Sequence, residues 1–519
     1  MSKNVSEVAD QEPASQDNNI ISERQSLIYR LKSIAHSRFP RLFPDPTDAR
    51  RLDIYRLRDP KENEQTAPPV DELIDLSCVW VVEFYAPAHV DALLTNLKRL
   101  GWDGNDRDFV MDDPMAWISR SRQHPLGGGW LNLGVIHSET DGVPVSFHRR
   151  TAPLPPHVQH ATGRIYSPTS SLICIVMGFA FEGDYCAQFD KALRKDRKTY
   201  TRPLLHGHRI YGPENQKVDQ IHQIRDEMIG LATDWFQEHL PGLFSSGLLE
   251  GELPTCEFVT LRKAEPFAPG EDCGPSSYLS VLDLYFDWDV WRSVNNTGLK
   301  FKVPTLSTRD RHRYHAILAV RESDLDESML EMRGGRESQC LYINEIINGL
   351  LSRWAILPLL EGYNQHLSAI RDSATLRPNR RLNRIKTLKS LIDHVSYTVD
   401  IAAITTELIP YASNCSLFSR DVETFEPCND RDYKAGATLI KGIGFTIGER
   451  ATWLQKTEQS LRDHLAQYGS LIGAMENIHL QKRLKLLTWI IIFMTLVLLV
   501  QSDHIWDWIR DKMLWYGYF

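Results

Sequence analysis

Asp287 and Asp289 stand one residue apart after an apolar stretch. In an extended chain that spacing turns both carboxylates to one side, which suits a divalent cation when a third ligand joins them. The sequence offers no third ligand at a fixed spacing, and two acids separated by one residue are common, so no metal site is expected from this pair. Three close histidine pairs, His157 with His160, His206 with His208 and His312 with His315, meet the same objection, because zinc needs three or four ligands within reach. Gly127, Gly128 and Gly129 precede Trp130 without the Lys and Ser or Thr that reach phosphates and metal in a phosphate-binding loop. A tight turn before a strand is the better reading. No Gly-x-Ser-x-Gly elbow and no His-Glu-x-x-His helix appears. The sequence thus supplies no residue on which to anchor catalysis and leaves any cofactor undefined.

The sharpest charge feature is Arg377, Arg380, Arg381, Arg384, Lys386 and Lys389, crowded into one segment with no acid among them, in a chain of net charge -8. Such a patch suits phosphate, whether lipid headgroup, nucleotide or RNA. A solvated helix start is the plainer reading. Cations there oppose the helix dipole, which favours a bound anion or an acidic partner. The acidic balance of the whole chain gives no general field for nucleic acid.

Positioning such residues takes a folded body, and 519 residues at 42% hydrophobic and 24% charged are enough for two or three domains. Residues 1–70 read as a polar disordered tail, a short helix over 20–39 and a proline-bounded linker over 60–69. Residues 71–338 read as an α/β or α+β domain. Its expected strands are 73–85, 130–137, 171–181, 256–261, 278–286 and 314–320, and its expected helices are 88–100, 185–194 and 215–238. After about Ser338 the strands are expected to stop. Residues 339–430 read as a helical domain, with a helix over 341–374 kinked at Pro358, a second over 382–411, and a loop over 414–430. Gly436, Gly442, Gly444 and Gly448 predict a break or a close crossing. The eight Cys form no C-x-x-C pair and read as reduced thiols in a cytosolic body. Residues 1–19 carry no basic-then-apolar leader, so export of the body is not expected.

The chain is organised around Thr452 to Val500, a helical register without Pro that runs into an apolar stretch. Leu454, Leu461, Leu465, Tyr468, Ile472, Met475, His479, Lys482 and Leu486 follow the alternating three- and four-residue spacing of a coiled-coil seam, interrupted at Glu458. Gly469 and Gly473 beside it would let a second backbone approach closely. Two readings stand: a helix packed on its own domain, or a stalk over 431–485 that self-associates through Leu461, Leu465, Tyr468, Gly469, Ile472, Gly473 and Met475. From Leu486 to Val500 there is no charge, Gly, Pro or Asn. At ~1.5 Å per residue the run covers about 22 Å of a hydrocarbon core roughly 30 Å thick, so a membrane helix over 486–502 must borrow from its flanks. Lys482, Arg483 and Lys485 precede the run, and Trp506, Trp508, Trp515, Tyr516 and Tyr518 follow it in an interfacial tail over 503–519. Basic residues on one side and aromatics on the other predict a single pass with the bulk of the chain cytoplasmic. A core helix is the alternative reading of so short a run.

An α/β domain followed by long helices and a stalk that becomes a membrane helix resembles the CorA-type magnesium transporter family. The similar part is roughly Leu461 to Val500, where Leu465, Ile472 and Lys485-Leu486-Leu487-Thr488 lead into Ile490 to Phe493. The resemblance implies stalks assembled as a pentamer around an axial pore and gated by cytoplasmic ligands. The family's Gly-Met-Asn signature is missing, the nearest match being Tyr516-Gly517-Tyr518, and no second apolar span follows. The leading expectation is a membrane-anchored homo-oligomer whose cytoplasmic domain senses a ligand or protein partner and transmits this through the stalk. A tail-anchored adaptor and a membrane-tethered enzyme are the alternatives. Membrane lipid and further copies of the chain are the expected partners.

Overall fold

The computed structural model describes residues 23–38, 52–103, 113–124, 127–138, 149–204, 207–248, 252–268, 277–285, 289–304, 313–325, 339–375, 400–428, 436–501 and 503–517. The body is built on a ten-stranded mixed sheet. Its strands are β1 (Ile74–Tyr85), β2 (Gly129–Ser138), β3 (Arg149–Ala152), β4 (Val158–Thr169), β5 (Leu172–Phe181), β8 (Thr255–Leu261), β9 (Val290–Ser293), β10 (Lys300–Lys302), β11 (His315–Arg321) and β12 (Phe425–Pro427). A separate hairpin pairs β6 (Tyr200–Leu204) with β7 (Gly207–Tyr211). The sheet order is β12-β9-β10-β11-β8-β1-β5-β4-β2-β3, parallel at β11/β8 and β2/β3 and antiparallel elsewhere.

The central strands are apolar on both faces because helices cover both. Every residue of β5 and of β8 is buried. Over one face lies α2 (Pro213–His239), following the shorter α1 (Val90–Arg99), with Ile221, Ile224, Met228, Ala232, Trp235 and Phe236 turned inward at helical spacing. Phe179 of β5 meets Trp235 and Phe236 edge to face. Over the other face lies α3 (Gln339–Trp354), whose Asn344 accepts from the buried Trp80 indole at 3.1 Å. Trp80 crosses its register partner Gly178, where an added Cβ would stand 2.6 Å from the indole nitrogen. The expected mixture of strands and helices is therefore a sheet with helices on both sides.

Several expectations need correction. Residues 60–69 are not a linker: Asp59–Gln65 is a helix whose buried Asp59 and Asn63 bond to the backbone at Thr199 and Arg197, so the folded body begins before residue 71. The strand expected over 278–286 is not found in its described residues, 278–285. Ser277 caps the short helix Tyr278–Val281, and Asp283 takes a positive φ of 61° to close the turn. Leu279, Val281, Leu282 and Leu284 are buried within that turn, so their near alternation mimics a strand. Strands also do not stop at Ser338, since β12 closes the sheet edge against β9. The break in 341–374 falls at Ala355, between α3 and α4 (Ile356–Thr375), and Pro358 lies in the first turn of α4, where a missing N–H costs little.

The last helices are α5 (Leu439–Gln501, 63 residues) and α6 (Asp503–Trp515). At ~1.5 Å per residue α5 is roughly 95 Å long. It runs without interruption through Gly442, Gly444 and Gly448, so the expected break is confined to Gly436, at φ 80°, before the helix begins. A close crossing does occur, at Gly444, where an added Cβ would lie 3.2 Å from Phe418.

Candidate functional site

The residues of α5 divide it into a packed root and a free rod. Leu439, Ile440, Ile443, Ile447, Ala451, Leu454 and Leu461 are buried and belong to the same core as the sheet. Glu458, expected to interrupt the seam, is itself only 3% exposed and pairs with Arg462 one turn on. The root is also tied by charge. Glu361 of α4 accepts from Arg313, just before β11, at 3.2 Å and faces Arg450 of α5 at 3.7 Å. One carboxylate thus joins the sheet, the helical layer and the stalk.

Beyond Leu461 the rod leaves the body. Leu465, Tyr468, Gly469, Ile472 and Met475 fall on the same helix, and Gly473 has open space around it. Leu461, expected in the self-association seam, packs inward against the body's own core. From Leu486 to Leu499 every residue is exposed, with Trp489 at 70% and Phe493 at 69%. Consecutive exposure means that the apolar surface runs around the whole circumference, which distinguishes it from an amphipathic helix on its own domain. The alternative of a core helix shielded inside the body does not hold for these residues. Among the described residues no helix is long and apolar enough to cross a membrane. That agrees with the shortfall of about 8 Å between this run and a bilayer core, from ~1.5 Å per residue. On α6, Trp506, Trp508 and Trp515 are exposed, as is Tyr516 just beyond it, and Lys512 sits 4.9 Å from the Trp508 ring.

A second constellation lies between α2 and the sheet. Arg225, 1% exposed, grips Glu257 of β8 with two bonds of 2.8 Å and reaches Asp283 at 3.2 Å. His315 of β11 stands in register with Thr255, 2.8 Å from its hydroxyl through Nδ1, while Nε2 faces Glu257 at 3.2 Å. Burial alone would raise the Glu257 carboxyl; Arg225 and then His315 outweigh it and hold the group down at about 2. The order hydroxyl, imidazole, carboxylate is the one that activates a nucleophile in hydrolases. Here the carboxylate is already engaged by a guanidinium, and the Thr255 N–H is spent on the Tyr314 carbonyl. The arrangement therefore acts as a polar staple between helix and sheet. A cleft of about 270 Å³ opens beside it, lined by Asp226, Thr233, Glu252, Thr255 and His315. A larger groove of about 540 Å³ follows the stalk root, lined by Phe418, Ile440, Gly444 and Phe445. A third opening of about 560 Å³ lies on the body between Arg56, Asp59 and Asn63 on one side and Asp196 and Arg197 on the other.

The remaining expected site residues are dispersed. Asp287 lies outside the described residues, and so do Arg377, Arg380, Arg381, Arg384, Lys386 and Lys389. Asp289 is half-buried before β9. His157 stacks on Tyr185 and faces Glu182 at 3.5 Å, whereas His160 is buried beside His137, so that pair is split between two environments. Burial, reinforced by His137, lowers His160 to about 4. His206 and His312 lie outside the described residues. Among the described residues no group of three or more His, Cys, Asp or Glu is placed to hold a metal ion. Gly127 and Gly128, at φ 55° and 85°, form the turn before β2, where the Pro168 carbonyl leaves no room for a Cβ on Gly127. The described cysteines are free thiols. Comparison with protein-family models and with curated proteins finds no match to this chain.

Proposed function

We propose that this protein is a membrane-anchored homo-oligomer whose α/β body reads a ligand or partner and conveys it along α5 to the bilayer. The observation that carries this reading is the unbroken exposure of Leu486 to Leu499 on a helix whose root is fixed in the core. An apolar helix bare on all sides is stable in lipid or against other copies of itself, and water is its poorest solvent. The short run reaches both interfaces by extending Lys485 outward, by seating Gln501 in the headgroups and by local thinning of the bilayer. Oligomerisation and a permeation role, as in the CorA-type family, rest on the seam and the resemblance. Glu361 is the natural point of coupling, because it links the mouth of the smaller cleft, through Arg313, to Arg450 of the stalk.

Two measurements test this. The full chain should float with neutral phosphatidylcholine vesicles and resist extraction by alkaline carbonate; recovery in the soluble fraction overturns the anchor. In detergent, light scattering should give a multiple of the 59.6 kDa chain mass at every concentration tried. A monomer throughout overturns the oligomer and leaves a tail-anchored adaptor. Replacing Leu486 to Val500 by an unrelated apolar span separates the two further, since an adaptor keeps its function and a stalk-driven pore loses it.

A further inference from the structure

Between Glu476 and Asp503 the chain carries no acid, and the only formal charges in that interval are Lys482, Arg483 and Lys485. All three are exposed on the free rod, immediately before the bare apolar run. At about 100° per residue, the helical pitch spreads them over nearly half of the circumference. The tail on the other side is different. Its Arg510 pairs with Asp507 at 3.1 Å, and Lys512 leans on Trp508, with Asp503 and Asp511 nearby in sequence. The two ends of the run therefore present unlike fields: an uncompensated cationic collar facing the body, and a neutralised aromatic foot beyond.

We propose that Lys482, Arg483 and Lys485 form a collar that binds anionic phospholipid headgroups in the leaflet facing the body. This rests on the membrane reading above and adds to it the lipid class and the leaflet. Three exposed cations held at headgroup level on a rigid helix gain from each anionic phosphate, and the gain falls with salt because the groups stay solvent-exposed. A short span needs headgroups drawn toward its ends, so the same contact holds the bilayer thin where the helix requires it.

The test uses the full chain in neutral detergent, titrated with phosphatidylglycerol or phosphatidylcholine, with retained lipid counted by native mass spectrometry. Phosphatidylglycerol should be retained at least about fivefold more strongly, the effect of one basic residue at an anionic surface, and most of that preference should vanish at about 0.5 M salt. K482Q/R483Q/K485Q should lose it, whereas R510Q/K512Q should keep it. Equal retention of both lipids overturns the collar, and so does a preference that survives in the triple variant. Displacement of the lipid by millimolar inorganic phosphate would assign the site to free anions and overturn the lipid assignment. Flotation with neutral vesicles, run alongside, separates the two levels. A chain that floats without lipid preference keeps its anchor and loses the collar, and one that never floats loses both.

Discussion

Arg225 and Glu257 show what residue types alone conceal. Arg225 sits on the apolar side of α2 between Ile221 and Met228, a placement that signals burial, and its partner is 32 residues away on a strand. The ion pair has left water completely, so removing one member strands the other. Glu257→Gln or Arg225→Met should each cost about 3–5 kcal/mol, while replacing both with apolar residues should cost far less. Denaturant unfolding of the two single variants and the double variant measures the difference. His160 offers a pH signature. It is lowered from 6.5 to about 4 by burial and by His137, so the unfolded chain takes up the proton first. Its contribution to stability is complete above pH 6.5 and is lost as pH falls toward 4, by up to roughly 3 kcal/mol. Melting temperatures of the wild type and His160→Phe, compared at pH 7 and pH 5, should show the variant falling less.

β1, β2, β5, β8, β11 and α2 were legible as elements because their apolar runs are continuous and of a length that suits one structure, whereas β4, twelve residues paired on both sides, was not expected, since Gln159, His160, Gly163, Arg164 and Pro168 break its apolar pattern. The short strands β3, β9, β10 and β12 were not legible either, since three or four residues carry no period and owe their conformation to the neighbours they pair with. The strand expected at 278–286 failed for the same reason in reverse, a local alternation overruled by a capped turn. Pairing also explains Gly178, whose need for no side chain comes from Trp80 on the adjacent strand. Gly178→Ala should destabilise by about 1–3 kcal/mol through displacement of that indole, with loss of the near-ultraviolet dichroism of a fixed Trp as the local readout. An unchanged spectrum and stability would show that the strand yields instead.

For the molecule as a whole, the decisive feature is that α5 belongs to two environments. Its root shares the core of the sheet, and past Leu461 no described side chain of the rod is buried. A chain ended after Gln481 should therefore remain folded in detergent-free buffer with the melting temperature of the full protein. Aggregation of that shortened chain, or a fall of more than about 5 °C, corresponding to about 5 kcal/mol at ~2.1 cal/mol/K per residue in a protein of this size, would show that the rod supports the body. The basic flank Lys482, Arg483 and Lys485 and the apolar run beyond it could be located from sequence, because charge and hydropathy there are properties of consecutive residues. The clefts and the Glu361 link join segments far apart in the chain, so no local pattern announces them.

By itself, the order of residues determined a mixed body followed by long helices and a final apolar run with cations before it and aromatics after it. These are one-dimensional facts, carried by composition and period. Only the tertiary structure decided where the stalk stops packing, which charges are buried in pairs, and that β8 and β11 run side by side to bring Thr255, Glu257 and His315 together. Those outcomes depend on which distant surfaces meet, and burial, unlike hydropathy, is a property of the meeting rather than of either residue.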